Sequence, residues 1–452
     1  MPADSAPPFN DTIAYRSLFA AIAPSSTLQI SVIVPVRDEA DQLTQTLDAL
    51  RRQVDADGQP IRPGCYEVLL LANNCTDGSS ELAERYQQRY PTFPLRTAQI
   101  QLPPRQANIG TVRRLLMDEA CHRLQSVGNP DGIIASTDGD TVVDSQWLWH
   151  IMAETANGCD AVAGRILAQD SNGPARLFHL RDVTYRQLVA QTESLLDPSA
   201  HDPWPRHFQH FGASLAVTCR AYLQAGRLPE VPHLEDEALY RALLRTDAKI
   251  RKSPRVRVFT STRLQGRVAV GFSEQLRYWT ALHDDRRVQL AEPPNALVIK
   301  FRNRHRLRLL WQQRHRAVPA QPLTTVAQEL GISAEWLRHQ LPAHVYFGQF
   351  WEKVEAEMAG QHGPDRWKPV PITEAIQELR AYLRSLTSAT PSRTDQDGTA
   401  LPVDLTGAAG AAPHRPVSET TRVPDRRSAG SPARPVSSAP AAGVRLAAGV
   451  RA

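Results

Sequence analysis

The sequence predicts an α/β domain built on a largely parallel sheet, and three observations carry that prediction. Short β-branched runs alternate with amphipathic stretches over the first half of the chain. Asp138-Gly139-Asp140 follows directly on the apolar run Gly132-Ile133-Ile134-Ala135-Ser136, so carboxylates stand where a buried strand ends. In an open α/β sheet that is where ligands bind. After about Ser388 the composition turns to Ala, Pro, Ser, Thr and Arg with scarcely an aromatic, which cannot bury enough surface to fold.

The elements follow in order. A lead-in over 1–28 carries at most one short helix around Ala14–Ile22. Leu28–Val36 reads as a buried strand and Ala40–Gln53 as a helix, with leucines 43, 47 and 50 on one face. Tyr66–Leu71 is a second strand and Asp77–Tyr90 a second helix, ended by Pro91 and Pro94. Leu95–Leu102, Thr111–Leu124 and Ile133–Ser136 continue as strand, helix and strand. Gln146–Thr155 (helix) and Ala161–Ile166 (strand) come next, then a long helix over Phe178–Leu196 and a Pro/His/Trp-rich loop from Asp197 to His210. His233–Arg245 is helical and Arg255–Thr260 a strand. The expected division is 29–290 for the α/β domain, 291–387 for a mainly helical, Arg-rich extension, and 388–452 for a disordered tail.

Composition narrows the function. The chain has 452 residues, 42% of them hydrophobic, enough for a sizeable core, and a net charge of +5 carried mostly by arginine, which suits phosphate. Five cysteines at wide spacing read as reduced thiols, the residues before Asn10 lack a signal-peptide pattern, and no apolar run reaches a membrane span. A cytoplasmic protein is expected.

Closely spaced aspartates repel unless a cation or protons intervene, and hard oxygen ligands in an open site suit Mg²⁺ or Mn²⁺. A calcium loop is excluded, because Val143 stands where its glycine belongs and Trp149 where its final glutamate belongs. Three further segments complete a series: Ile30-Ser31-Val32-Ile33-Val34-Pro35-Val36-Arg37-Asp38-Glu39, then Leu71-Ala72-Asn73-Asn74-Cys75-Thr76-Asp77-Gly78-Ser79, and, after the aspartate pair, Leu234-Glu235-Asp236-Glu237. In order and spacing this series resembles the family 2 glycosyltransferases of GT-A fold, over roughly 29–270.

The resemblance implies a Rossmann-like nucleotide-binding sheet with flanking helices and a nucleotide-sugar donor. Asp138 and Asp140 would bind the metal that bridges the diphosphate. Pro35, Arg37, Glu39, Asn73 and Asp77 would line the nucleoside pocket. Gly110-Thr111-Val112-Arg113 matches the family's Gly-x-x-Arg segment, with Arg113 near the donor, and Asp236 matches the general base of inverting members. The chain departs from the pattern at Ala72-Asn73, where many members carry Asp-Asp, so the base is not named. His233 as a third metal ligand is the weaker reading beside a structural one, and Arg263–Arg267 is equally a diphosphate-closing segment or a solvated loop.

The chemistry makes the same demands without the name. A leaving diphosphate needs its charge neutralised, and a single displacement needs a carboxylate to take the acceptor hydroxyl's proton. The expected function is therefore metal-dependent transfer of a sugar, most simply a hexose, to a hydroxyl acceptor with inversion. The alternative is a non-catalytic sugar-nucleotide or nucleic-acid binding protein. Arg302 to Arg316, with six arginines and two histidines, could touch acidic lipid. Thr325–Leu337 has helix-turn-helix spacing, but nucleic acid is not the expected partner.

Overall fold

A computed structural model of the protein describes residues 18–19, 22–168, 173, 175–260, 272–315, 320–362 and 367–388. The lead-in helix, the Arg263–Arg267 segment and the tail expected from the sequence lie outside, or almost wholly outside, these residues. The described elements of the first half are β1 (Ile30–Val36), α1 (Ala40–Arg51), β2 (Tyr66–Asn73), α2 (Ser79–Arg89), β3 (Leu95–Ile100), α3 (Ile109–Ser126), β4 (Ile133–Ser136) and β5 (Thr141–Val143). The second half adds α4 (Trp147–Ala156), β6 (Ala161–Ala168), α5 (Arg176–Leu196), β7 (Leu215–Thr218), α6 (Cys219–Gln224), α7 (Glu235–Arg245) and β8 (Ile250–Thr260). After them come α8 (Phe272–Asp284), β9 (Leu290–Ala291), α9 (Pro294–Gln312), α10 (Ala320–Leu330), α11 (Ala334–Gln340), α12 (Phe347–His362), β10 (Val370–Pro371) and α13 (Ile372–Ser388).

Eight strands form one sheet in the order β3-β2-β1-β4-β7-β6-β8-β5. The first four are parallel, and β7 then runs antiparallel to β4. This is the α/β sheet the sequence leads one to expect: a Rossmann-like parallel half continued by a mixed half. Both faces are covered, which is why β1 and β2 read as unbroken apolar runs rather than alternating ones. Val32 and Val34 of β1 pack with Leu43 and Leu47 of α1, while Ile33 faces the opposite core with Val112 and Leu116 of α3.

Differences from the sequence reading have local causes. Helix α2 begins at Ser79 rather than Asp77, because the Asp77 side chain accepts from the Ser79 N–H at 2.9 Å and so stands before the helix. Helix α7 begins at Glu235, after Leu234 in the left-handed region (φ 56°). Strands β5 and β7, with 3 and 4 residues, are too short to show a period, and β8 begins at Ile250 rather than Arg255.

Helices α9 to α12 share a core around Leu307, Leu330 and Phe350. They join the α/β part at two places. Arg304 of α9 donates to Glu193 and Asp197 at the end of α5 (2.6 and 2.5 Å), and Arg308 also pairs with Asp197. Asp247, just beyond α7, accepts from the first N–H groups of α12, Phe347 and Gly348, at 2.7 Å each. The described helices include none long and apolar enough to cross a membrane.

Candidate active site

Strand β1 lies between β2 and β4, so the chain moves outward in opposite directions from it. The carboxyl ends of β1 and β4 mark the crevice where such sheets bind ligands. Pro35, Arg37 and Glu39 stand at the first end and Asp138 and Asp140 at the second. They meet at Gly139: a Cβ there would lie 3.2 Å from Glu39 Cγ and from Val36 Cγ2. The Gly139 carbonyl accepts from Thr46 Oγ1 at 3.0 Å, which fixes the turn against α1.

The β1 and β2 ends are laced together by backbone groups. Asp38 Oδ1 accepts from the Thr76 N–H at 2.7 Å. Asp77 uses Oδ2 for the Ala40 N–H and Oδ1 for the Ser79 N–H and hydroxyl, and Ser79 Oγ in turn accepts from the Glu39 N–H at 2.8 Å. One carboxylate thus caps two helices. These bonds outweigh its partial desolvation and hold the Asp77 carboxyl below its ordinary value. Arg37 is exposed and donates to the Ala107 carbonyl at 2.9 Å. Asn73 is buried, and its Oδ1 has no hydrogen-bond partner among the described residues.

Arg113 is the centre of the other side. It is buried, and its Nη2 donates to Asp138 Oδ1 and its Nε to Glu235 Oε1, both at 2.9 Å. Nη1 reaches Ser136 Oγ and, at 3.1 Å, the Gly212 carbonyl. One guanidinium thereby joins the end of β4, the turn before β7 and the start of α7. Gly212 has to be glycine, since a Cβ there would sit 2.7 Å from the guanidinium carbon. Gly110 likewise lets α3 approach, a Cβ meeting the Val231 carbonyl at 1.8 Å.

Asp236 is set by two backbone donors: Gly212 N–H to Oδ2 and Glu237 N–H to Oδ1, both at 2.8 Å. Desolvation, with Asp140 and Asp236 nearby, raises the Asp138 carboxyl despite Arg113. Burial and the Asp236 charge raise Glu235 in the same way, again against Arg113.

That crowding of negative charge tests the fit of a divalent cation. Asp138 keeps one oxygen outside the Arg113 pair, and Asp140 stands close enough to perturb it, so the donor set is two hard oxygens with charge to be neutralised. Mg²⁺ or Mn²⁺ suits such a set, with water and phosphate oxygens completing the shell. No histidine, cysteine or third carboxylate makes a triple with Asp138 and Asp140 among the described residues; His233 does not join them. The one triple is Asp38, Cys75 and Asp77, whose carboxylates are engaged with backbone.

The sequence reading did not anticipate Ser136 as part of the site, nor that Arg113 would tie Gly212 and Glu235 into it. Their signal is long-range: Arg113 and Glu235 are 122 residues apart. Only the Gly-x-x-Arg spacing pointed to Arg113 at all.

Residues 31–205 match the glycosyl transferase family 2 model. Among curated proteins, glycosyltransferase AglE of Haloferax volcanii is 28% identical over 151 residues, which is 33% of this chain and 43% of that protein. The match therefore spans less than half of that relative's length. Solved structures that resemble the chain include the mannosyltransferase PcManGT from Pyrobaculum calidifontis in complex with GDP-Man and Mn²⁺ (16% identity, 82% of this chain and 85% of that one, TM-score 0.37). Another is S. aureus TarS 1–349 (13% identity, 74% and 92%, TM-score 0.37).

Proposed function

We propose, for a chain whose residues 31–205 match the glycosyl transferase family 2 model, transfer of a sugar from a nucleoside-diphosphate donor to an acceptor hydroxyl, with inversion. The observation that carries this reading is Arg113. Its guanidinium ties the metal-type carboxylate Asp138 to the first turn of α7, so the two chemical jobs fall in one crevice.

The donor's nucleoside lies along Pro35, Arg37, Glu39 and Asn73. Asp77 contributes from beneath by holding the two loops, and Arg113 acts through Asp138. Asp138 and Asp140 would hold Mn²⁺ or Mg²⁺, which when bound supplies neutralisation of the departing diphosphate. Asp236 takes the acceptor's proton. Both of its oxygens are aimed by backbone N–H groups, and each retains a lone pair for the hydroxyl. A cytoplasmic setting suits the five unpaired cysteines. An acidic-lipid contact through Arg302–Arg316 has fewer charges to draw on than the sequence suggests, because Arg304, Arg306 and Arg308 are paired inside the molecule.

Asp236→Asn tests the reading. The variant should keep nucleotide affinity within a few-fold and lose on the order of 10²–10⁴ in transfer rate, the usual worth of a positioned base. The product should carry the inverted anomer. Near-normal transfer, or retained configuration, sinks the assignment.

A further inference from the structure

The acceptor side holds one polar side chain that the transfer step leaves unused. His210 Nε2 lies 2.6 Å from Glu237 Oε2, and the other Glu237 oxygen accepts from Arg241 Nε at 2.6 Å. Burial would raise the Glu237 carboxyl, but the bonds from His210 and Arg241 outweigh it and hold it below the ordinary range. An ionised carboxylate can only accept. Nε2 therefore donates to Glu237, and Nδ1 is left to bond elsewhere. That Nδ1 is buried and has no hydrogen-bond partner among the described residues.

The ring is not free to exchange its nitrogens. It stacks on Tyr240 at 3.9 Å with 13° between the planes, and Phe211 lies 5.1 Å away on a tilted ring. Two rungs run side by side here, Gly212 N–H to Asp236 and His210 to Glu237, so the 210–212 segment lies along the first turn of α7. A fixed, unsatisfied ring nitrogen thus stands one rung from the carboxylate proposed to meet the acceptor hydroxyl. A buried polar atom without a partner is a cost that a ligand hydroxyl, which can donate or accept, would relieve.

We infer that His210 is an acceptor-binding residue whose Nδ1 shares a hydrogen bond with a second hydroxyl, beside the one that Asp236 deprotonates. The acceptor is then a sugar or another polyol rather than a simple alcohol. This rests on the transferase reading and on Asp236 as its base.

Asparagine and glutamine separate this role from a purely structural one. The amide of His210→Asn falls near the Nδ1 position, whereas that of His210→Gln falls near Nε2 and can keep the tie to Glu237. Transfer by the full chain to a panel of methyl hexopyranosides and glycerol gives KM for the acceptor, with nucleotide affinity and melting temperature measured alongside. The glutamine variant should raise acceptor KM about tenfold, as for one lost hydrogen bond, and the asparagine variant within about threefold. Nucleotide affinity should hold in both. Equal KM values for the two variants, or a worse asparagine variant, overturn the inference, because a structural tie to Glu237 predicts that order. Failure of the wild type to use any member of the panel overturns the polyol class. Asp236→Asn run beside them keeps the two claims apart: normal transfer there removes the transferase assignment itself, whereas the His210 order bears on the acceptor contact alone.

Discussion

The two sides of the crevice, which we assign to the donor and the acceptor, are held in different ways. On the donor side, loops from β1 and β2 are pinned by carboxylates and hydroxyls that bond to backbone N–H groups: Asp38 to Thr76, Asp77 to Ala40 and Ser79, Ser79 to Glu39. Every partner there lies within 40 residues of the other. The other side instead hangs on one buried guanidinium, which gathers Ser136 and Asp138, Gly212, and Glu235 from three separate stretches of chain. Backbone lacing spreads the load over several small bonds. A single ionic hub concentrates it, and ties stability to the geometry of the site.

The largest test of that contrast uses two buried arginines. Arg113→Met strands Asp138 and Glu235, and Arg123→Met leaves Glu67 with Ser31 Oγ but no counter-charge; the Arg123–Glu67 pair at 2.7 Å is equally buried but stands toward the other end of α3. Each should lose roughly 3–5 kcal/mol of unfolding free energy in urea titrations, because the uncompensated carboxylate stays buried. Only the first should abolish transfer by the molecules that remain folded. Equal loss of transfer in both would show that the acceptor side has no special dependence on its hub.

The next effect belongs to the strand ends themselves. Asp140→Ala should weaken Mn²⁺-supported nucleotide binding on the order of 100-fold, and chelator should do the same to the wild type. Because the donor loops are laced by backbone and not by Asp140, melting without metal should barely change. Unaltered affinity in the variant, with and without metal, would remove the cation from the site.

These contrasts also explain what could be read from the sequence. Strand-end motifs are local, so Ile30–Val36 with Pro35, and Ile133–Ser136 with Asp138, announce both the strand and the site at its tip. Leu43, Leu47 and Leu50 declare the buried face of α1 for the same reason. Hubs are not local. Nothing near Arg113 tells that its guanidinium will meet Glu235, and nothing near His210 tells that its ring will meet Tyr240 and Glu237. Asp77 reads as a capping residue and proves to cap two helices, which no periodicity could show. The basic run from Arg302 looked like a free surface because its acidic partners, Glu193 and Asp197, lie more than a hundred residues earlier.

The smallest effect, and the one that separates the two halves by pH, concerns His207. Its ring fills the irregularity between β6 and β8, with Nε2 3.2 Å from the carbonyls of Ala163 and Ser253 and Nδ1 accepting from the Gln209 N–H at 3.1 Å. That pattern needs the neutral ring, and burial pushes its pKa down to about 3. The folded value lies below the unfolded one, so the unfolded chain binds the proton first as pH falls. Stability is therefore fully present above about pH 6.5 and declines by about 1.4 kcal/mol per pH unit toward the folded pKa. The donor strands hold no counterpart: between residues 29 and 136 the only histidine is His122, which is exposed. His207→Gln keeps a donor near Nε2 without a titrating proton, and the other histidines, common to both proteins, cancel in the difference. Between pH 6.5 and 4.5, above the range of most carboxylates, the wild type should lose about 2.3 kcal/mol more than the variant in unfolding titrations. Amides of β6 and β8 should lose hydrogen-exchange protection over that window before those of β1 and β2. Parallel slopes for the two proteins would mean that the ring takes up its proton inside the fold, and that acid does not distinguish the two halves.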